Sequence, residues 1–270
     1  MVWHHTIWRK GGGVDSNGNS KRQFKMSNHA SEAVASAIGE VVDANHILFD
    51  QGVVDGFGHV SLRHPVRPDH FLLARSMAPA LVTAGDVLVF DLDGAPIEAD
   101  GPAVYLERFI HGEIYRIRPD VVAVVHSHSP AVVPFSVVSG TGLRPVCHMC
   151  GFLGAVTPVF EIRDVAGPSS DLLIRDARLG AALAQSLGQS AAVLMRGHGS
   201  TVVGSTLRQA VFRAVYTEVG ARLQAEAIKL GPVTYLTEDE AAAAATANDT
   251  QIDRAWHLWL KAARRRSMAD

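Results

Sequence analysis

The sequence predicts an α/β domain with strands and helices mixed along the chain, and three observations carry that expectation. Of the 270 residues, 47% are hydrophobic and 19% charged, enough apolar material for a large buried core and too much for a disordered chain. Segments with helical apolar spacing alternate with short β-branched runs. No internal repeat, long linker or compositional break divides the chain. One domain over residues 27–270 is therefore expected, behind a mobile tail over residues 1–26.

The tail carries Gly11-Gly12-Gly13 among scattered Ser, Asn, Lys and Arg and lacks the apolar core of a signal peptide. A cytoplasmic location is expected, and Met26 reads as an alternative start. Ala30 to Asp50 has Ala, Val, Ile and Leu at helical spacing, stopped by Gln51-Gly52. Gly56 to Arg63 passes from a glycine-punctuated turn into an extended stretch. Phe71-Leu72-Leu73-Ala74 and Val87 to Phe90 are short apolar runs suited to buried strands, and Asp91-Leu92-Asp93-Gly94 supplies a hairpin turn.

Val104 to Arg116 has helical spacing and ends before Pro119. Val121 to Val125 then forms a β-branched run typical of a central strand. A short helix from Pro130, a helix from Asp176 to Leu187, a strand at Ala192 to Met195 and a long helix from Thr206 to Leu230 follow by the same logic. Helices near Glu238 to Ala245 and Asp253 to Arg264 complete the chain.

Several function classes are disfavoured at once. Lys plus Arg total 25 against 27 for Asp plus Glu, so no basic excess exists to neutralise a nucleic-acid backbone. The apolar stretches at Val121–Val125 and Ala191–Met195 are cut short by His or Arg, which excludes a membrane-spanning helix. Cys147 and Cys150, the two cysteines, are spaced C-x-x-C without a second Cys or His pair beside them. They read as small buried thiols rather than as a zinc or redox site.

Thirteen histidines are the unusual feature of the composition. Val125-His126-Ser127-His128 places two imidazoles at i and i+2 where a buried strand ends, and the strand period points both to one face. Arg196-Gly197-His198-Gly199 puts a third after the run ending at Met195, with glycines permitting close backbone approach. Three imidazoles with coordination positions left open describe a catalytic metal site, whereas a structural site would close its shell with a fourth ligand. A chance surface pair is the alternative for H-x-H alone. His64, His70 and His111 read as hydrogen-bonded loop or helix residues, and His59 and His148 as candidates to support the site. Glu107 sits on the helix before the H-x-H strand, where it is either a general acid or base or a solvated helical carboxylate.

Taken together these residues resemble class II aldolases and the related adducin head domains. The matching stretches are Gly58 to Arg63, Glu107 with His111 and Tyr115, Arg118-Pro119-Asp120-Val121 through Pro130, and Arg196-Gly197-His198-Gly199. The resemblance spans about Ala30 to Leu230. It implies a three-layer α/β/α fold around a mostly antiparallel sheet and a homotetramer with active sites at subunit interfaces. It places metal ligands on His126, His128 and His198, and an acid/base role on Glu107. Family geometry would also bring Tyr216 to a neighbouring subunit's site, against a simple packing role.

Departures from the family pattern narrow the substrate. Members that cleave sugar phosphates carry G-N-x-S and a Ser-Ser pair before the glutamate; here His59 replaces the Asn and Tyr105-Leu106 replace the serines. Tyr and Leu do not offer the small donors that cradle a phosphate, and an aromatic substrate fits better. Arg75 and His59 are then candidates to hold a carboxylate, with a structural ion pair the alternative for Arg75. These features resemble the decarboxylase branch, which acts on ortho-hydroxy aromatic acids. The implied substrate is 3-hydroxy-2-methylpyridine-4,5-dicarboxylate, of vitamin B6 breakdown, or a dihydroxyphthalate. The implied cofactor is Mn2+, with Zn2+ the alternative. An aldolase or epimerase acting on an unphosphorylated substrate is a rival reading, and a non-catalytic adducin-like interaction module another.

Overall fold

The computed structural model describes residues 16–97 and 101–267. Its centre is a seven-stranded sheet in the order β3-β2-β1-β4-β7-β6-β5. The strands are β1 (His59–Arg63), β2 (His70–Ala74), β3 (Val87–Asp91), β4 (Ala123–Ser127), β5 (Val159–Phe160), β6 (Ala192–Met195) and β7 (Gly199–Gly204). Every pairing is antiparallel except β5 with β6. The eight helices of the described residues are α1 (Ser16–Asp50), α2 (Phe109–Ile117), α3 (Val133–Val137), α4 (Arg163–Ala166), α5 (Ala177–Leu187), α6 (Leu207–Leu230), α7 (Glu238–Asp249) and α8 (Ile252–Ser267).

Strand alternation sends successive side chains into two separate cores, which makes the architecture three-layered. Leu72, Ala123, Val125, Leu194 and Val202 pack with residues of α1, α6 and α8. Their neighbours Phe71, Leu73, Val124, Val193 and Val203 pack with α2 and α5 on the other face. With both faces covered, the central strands read as continuous apolar runs rather than as alternating ones. Among the described residues, no helix is long and apolar enough to cross a membrane.

Local chemistry fixes the helix ends. Asp176 accepts from the Leu179 amide at the start of α5, which stops at Gly188 with φ 53°. Thr206 caps α6 through the Gln209 amide, while the Gln209 side-chain oxygen accepts from the Ser205 amide. Arg118, in the turn between α2 and β4, makes a two-pronged pair with Asp120 and donates to the Gly188 carbonyl. That side chain locks α2, β4 and the end of α5 together.

Some expectations need correction. The first helix begins at Ser16 rather than Ala30 and takes in residues 16–26 of the tail expected over residues 1–26; residues 1–15 of that tail lie outside the described residues. The helix expected from Val104 is a 3-10 turn at Leu106–Arg108 followed by α2, because Glu107 leaves the helical region at φ −89°, ψ 20°. Strands β5 and β7 escaped the sequence reading. β5 is two residues long, and β7 is Gly-Ser-Thr-Val-Val-Gly, whose polar half hides its fully buried pattern. The expected hairpin turn at Asp91–Gly94 exists, but its return is a single bridge from Phe90 to Pro96.

Candidate metal centre

Two strand ends and one 3-10 turn assemble the cluster. His126 lies within β4 and is directly paired with His59 of β1, so both imidazoles stand on the face that packs against α2 and α5. His128 follows two residues later, one position past the strand, as its spacing predicts. His198 sits in the tight turn from β6 to β7, not simply at a strand exit. A side chain at Gly199 would overlap the Ser127 carbonyl, so glycine there is what lets that turn close onto β4 beside the H-x-H segment.

One ligand atom each from Glu107, His126, His128 and His198 lies within 4.8 Å of all the others. The Nε2 atom of His128 is 3.1 Å from that of His126 and 2.9 Å from that of His198. The opposite ring nitrogens are already engaged: His126 Nδ1 donates to the Ser200 carbonyl at 3.1 Å, and His198 Nδ1 to the Leu172 carbonyl at 2.7 Å. Those bonds fix the tautomers of His126 and His198 and turn their Nε2 lone pairs toward His128 Nε2, an arrangement that suits a cation held between the three rings. Two ligands each about 2.1 Å from one ion stand roughly 3.0 to 3.4 Å apart at right-angle to tetrahedral geometry. The donor set therefore fits a divalent metal held by three neutral imidazoles.

Glu107 is buried beside them, with Oε1 accepting from the Ile174 amide at 2.9 Å and Oε2 lying 3.4 Å from Nε2 of both His126 and His198. Burial raises its pKa, but the adjoining His126 and His198 rings outweigh this and hold the carboxyl below the ordinary carboxylate range. For His198, burial works downward, and the Glu107 carboxylate and Leu172 carbonyl raise it on balance. Leu172 has a left-handed φ of 69°, the one such non-glycine residue among those described. That backbone conformation belongs to the segment whose carbonyl and amide orient His198 and Glu107.

A buried chain of hydrogen bonds supports His59. Its Nδ1 shares a 2.6 Å bond with His111 Nε2, His111 Nδ1 a 2.6 Å bond with Ser61 Oγ, and Ser61 Oγ a 2.7 Å bond with the Tyr115 hydroxyl. Burial, followed by the neighbouring His126, pushes His111 down to about 3, and burial followed by His111 lowers His59 as well. The two rings stay neutral at physiological pH, and the chain acts as a rigid support.

A cavity of about 430 Å³ opens onto Glu107, His126 and His128. Phe57, Met77, Tyr105, Leu106 and Leu173 give it a mainly apolar wall, with His59 among the polar groups. The Tyr105 ring lies 4.6 Å from His59, and its hydroxyl donates to the Met77 carbonyl.

Other candidates lie elsewhere. Arg75 forms a 2.7 Å ion pair with Asp86 and is not part of that cavity wall. Tyr216 packs against Phe212 and Trp259 on the opposite side of the sheet, away from the histidines of its own chain. His148 is exposed on a distant 3-10 turn.

Sequence reasoning missed Glu218 and Phe57. Glu218 is 3% exposed on α6; its Oε2 accepts from Ser129 Oγ and, at 3.2 Å, from the Ala131 amide, anchoring the turn that follows His128. Nothing in a mid-helix glutamate announces such a partner 89 residues earlier. Replacing Glu218 with Ala should weaken metal retention by roughly 10- to 100-fold, because a freed turn no longer aims His128; competition with a chromogenic chelator measures it. Phe57 is 69% exposed at the cavity mouth, its ring 6.3 Å from His128. The flanking glycines drew attention as punctuation, and the ring between them did not.

Comparison with known proteins bears on the family and the fold. The description "Class II Aldolase and Adducin N-terminal domain" matches residues 39–225. The decarboxylase tropJ of Talaromyces stipitatus is 39% identical over 239 residues, covering 80% of this chain and 90% of that protein. The 3,4-dihydroxyphthalate decarboxylase of Arthrobacter keyseri is 31% identical over 212 residues, covering 73% and 81%. In fold, the chain is similar to L-fuculose 1-phosphate aldolase from Glaciozyma antarctica, with a TM-score of 0.69, 24% identity and coverage of 85% and 90%. The fold is that of the class II aldolases, and the chain belongs to the class II aldolase and adducin family.

Proposed function

We propose that this protein is a divalent-metal-dependent decarboxylase of ortho-hydroxy aromatic carboxylates. The observation that carries the reading is the three-imidazole cluster beside Glu107 at the foot of an apolar, aromatic-lined cavity. Decarboxylase relatives at 31% to 39% identity support it. His126, His128 and His198 would hold the metal, with Mn2+ expected ahead of Zn2+ because an oxygen-rich chelating substrate suits it. A bound cation would supply a Lewis acid for the hydroxyl oxygen ortho to the departing carboxylate, stabilising the charge left on the ring.

The chain's own residues do the rest. Glu107, ionised in the resting site, accepts the substrate's hydroxyl proton and delivers it to the ring carbon that loses carbon dioxide, so the proton balance closes within the site. His59, held by His111, presents its remaining edge to a second carboxylate. Tyr105 and Phe57 give the ring an apolar surface to stack on. With its hydroxyl committed to Met77, Tyr105 cannot serve a phosphate, which speaks against sugar-phosphate cleavage. Phe57→Ala should raise KM about tenfold with kcat nearly unchanged, the pattern of lost uniform binding, read by steady-state kinetics.

Two rings are proposed as substrates: 3-hydroxy-2-methylpyridine-4,5-dicarboxylate, implied by the family resemblance, and 3,4-dihydroxyphthalate, named in similar proteins. We further propose a homotetramer in which Tyr216 of one subunit approaches a neighbour's site. The test is product analysis with both aromatic acids and with unphosphorylated aldol substrates. Carbon dioxide from an aromatic acid supports the reading, whereas an aldehyde from an aldol substrate and no carbon dioxide would reject it in favour of an aldolase.

A further inference from the structure

The two cysteines lie outside the histidine cluster, and the proposed chemistry makes no use of them. Cys147 caps a 3-10 turn over His148–Leu153, and its sulfur lies 3.5 Å from that of Cys150. The two are unlike in setting. Cys150 is fully buried, whereas Cys147 is partly exposed, so the expectation of two buried thiols holds for one of them. The Cys150 sulfur is wedged against Gly220 of α6, where any side chain would press on it. Its single S–H faces two acceptors, the Cys147 sulfur and the Tyr216 carbonyl at 3.3 Å. The Cys150 thiol, followed by the Met149 and Cys150 backbone amides, pulls the Cys147 pKa down to about 6 despite some burial, and the same pairing plus burial pushes Cys150 up.

This is the asymmetry of an attacking and a resolving thiol. One residue is partly exposed and the other buried, and their sulfurs stand 3.5 Å apart, about 1.5 Å more than a bond of about 2.05 Å requires. The exposed member sits on a turn, where a side-chain rotation supplies that approach.

We propose that Cys147 and Cys150 form a reversible dithiol–disulfide centre oxidised by hydroperoxides. The Cys147 thiolate attacks one oxygen of hydrogen peroxide; the O–O bond breaks, hydroxide leaves and takes up a proton as water, and Cys147 becomes a sulfenic acid. The Cys150 sulfur then attacks the Cys147 sulfur, the S–O bond breaks, and the departing hydroxide leaves as water with the Cys150 proton. Two thiols give up two electrons, one peroxide accepts them, and two waters form.

The test uses the reduced full-length chain exposed to a small excess of hydrogen peroxide, then quenched, denatured and examined by thiol titration and intact mass. Because the chain has two cysteines, the expected result is loss of both thiols, a mass lower by about 2 Da, and recovery with dithiothreitol. Cys150→Ser should instead trap an oxidised Cys147 that reacts with dimedone, and Cys147→Ser should keep its remaining thiol through the same exposure. Two unreacted thiols, crosslinks between chains, or direct passage of Cys147 to sulfinic acid without a crosslink would each overturn the proposal. None of these readouts depends on the decarboxylase reading.

Discussion

Replacing His126 with alanine is expected to abolish stoichiometric metal binding and to lower turnover by about 1,000-fold or more, while the chain still folds. His126 is fully buried, and its Nε2 lies within 3.4 Å of both His128 Nε2 and Glu107 Oε2, so no neighbouring group can take its place. The backbone of β4 is paired on both sides, with β1 and with β7, and those ladders do not depend on the imidazole. Elemental analysis of the purified variant gives the metal content, and circular dichroism shows whether the sheet survives. A variant that retained one ion per chain and near-normal turnover would remove His126 from the ligand set.

Glu107→Gln is the second large effect, and it separates proton transfer from metal binding. The glutamine keeps an oxygen for the Ile174 amide, so its position should hold. Three imidazoles remain, so metal content should stay close to that of the parent protein. Without an ionisable group at Oε2, turnover should fall by about 100- to 10,000-fold, the usual contribution of a positioned acid or base. Equal loss of metal and activity would instead make Glu107 a ligand in its own right. Unchanged turnover with full metal content would reject its role as proton carrier.

The sheet and its helices were largely legible because apolar periodicity records burial directly. β4 and β6 stand out as β-branched or aliphatic runs, and α5 and α6 are bounded by the Asp176 and Thr206 caps that the sequence offers. β7 was hidden because it is buried through Gly, Ser and Thr, residues that pack tightly there without looking apolar. The histidine cluster was legible for a related reason: a strand's two-residue period makes H-x-H a geometric statement, and Gly-His-Gly marks a close backbone approach. What holds those side chains in place was not legible. Ser200, Leu172 and Ile174 act through backbone atoms, and Glu218 reaches Ser129 across the fold. Backbone acceptors leave no trace in residue type. Arg75 shows the converse: an arginine beside an apolar strand suits a carboxylate ligand until Asp86, eleven positions away in sequence, is seen to hold it.

The most direct test of the metal-centred account is a titration of carbon dioxide release. Metal-free protein, prepared with a chelator, receives increasing Mn2+ in the presence of 3,4-dihydroxyphthalate or 3-hydroxy-2-methylpyridine-4,5-dicarboxylate. The account predicts no release at the start, a rise in proportion to added metal, and saturation near one ion per chain on at least one of the two acids. Release from metal-free protein, or none from fully loaded protein on either acid, would contradict it.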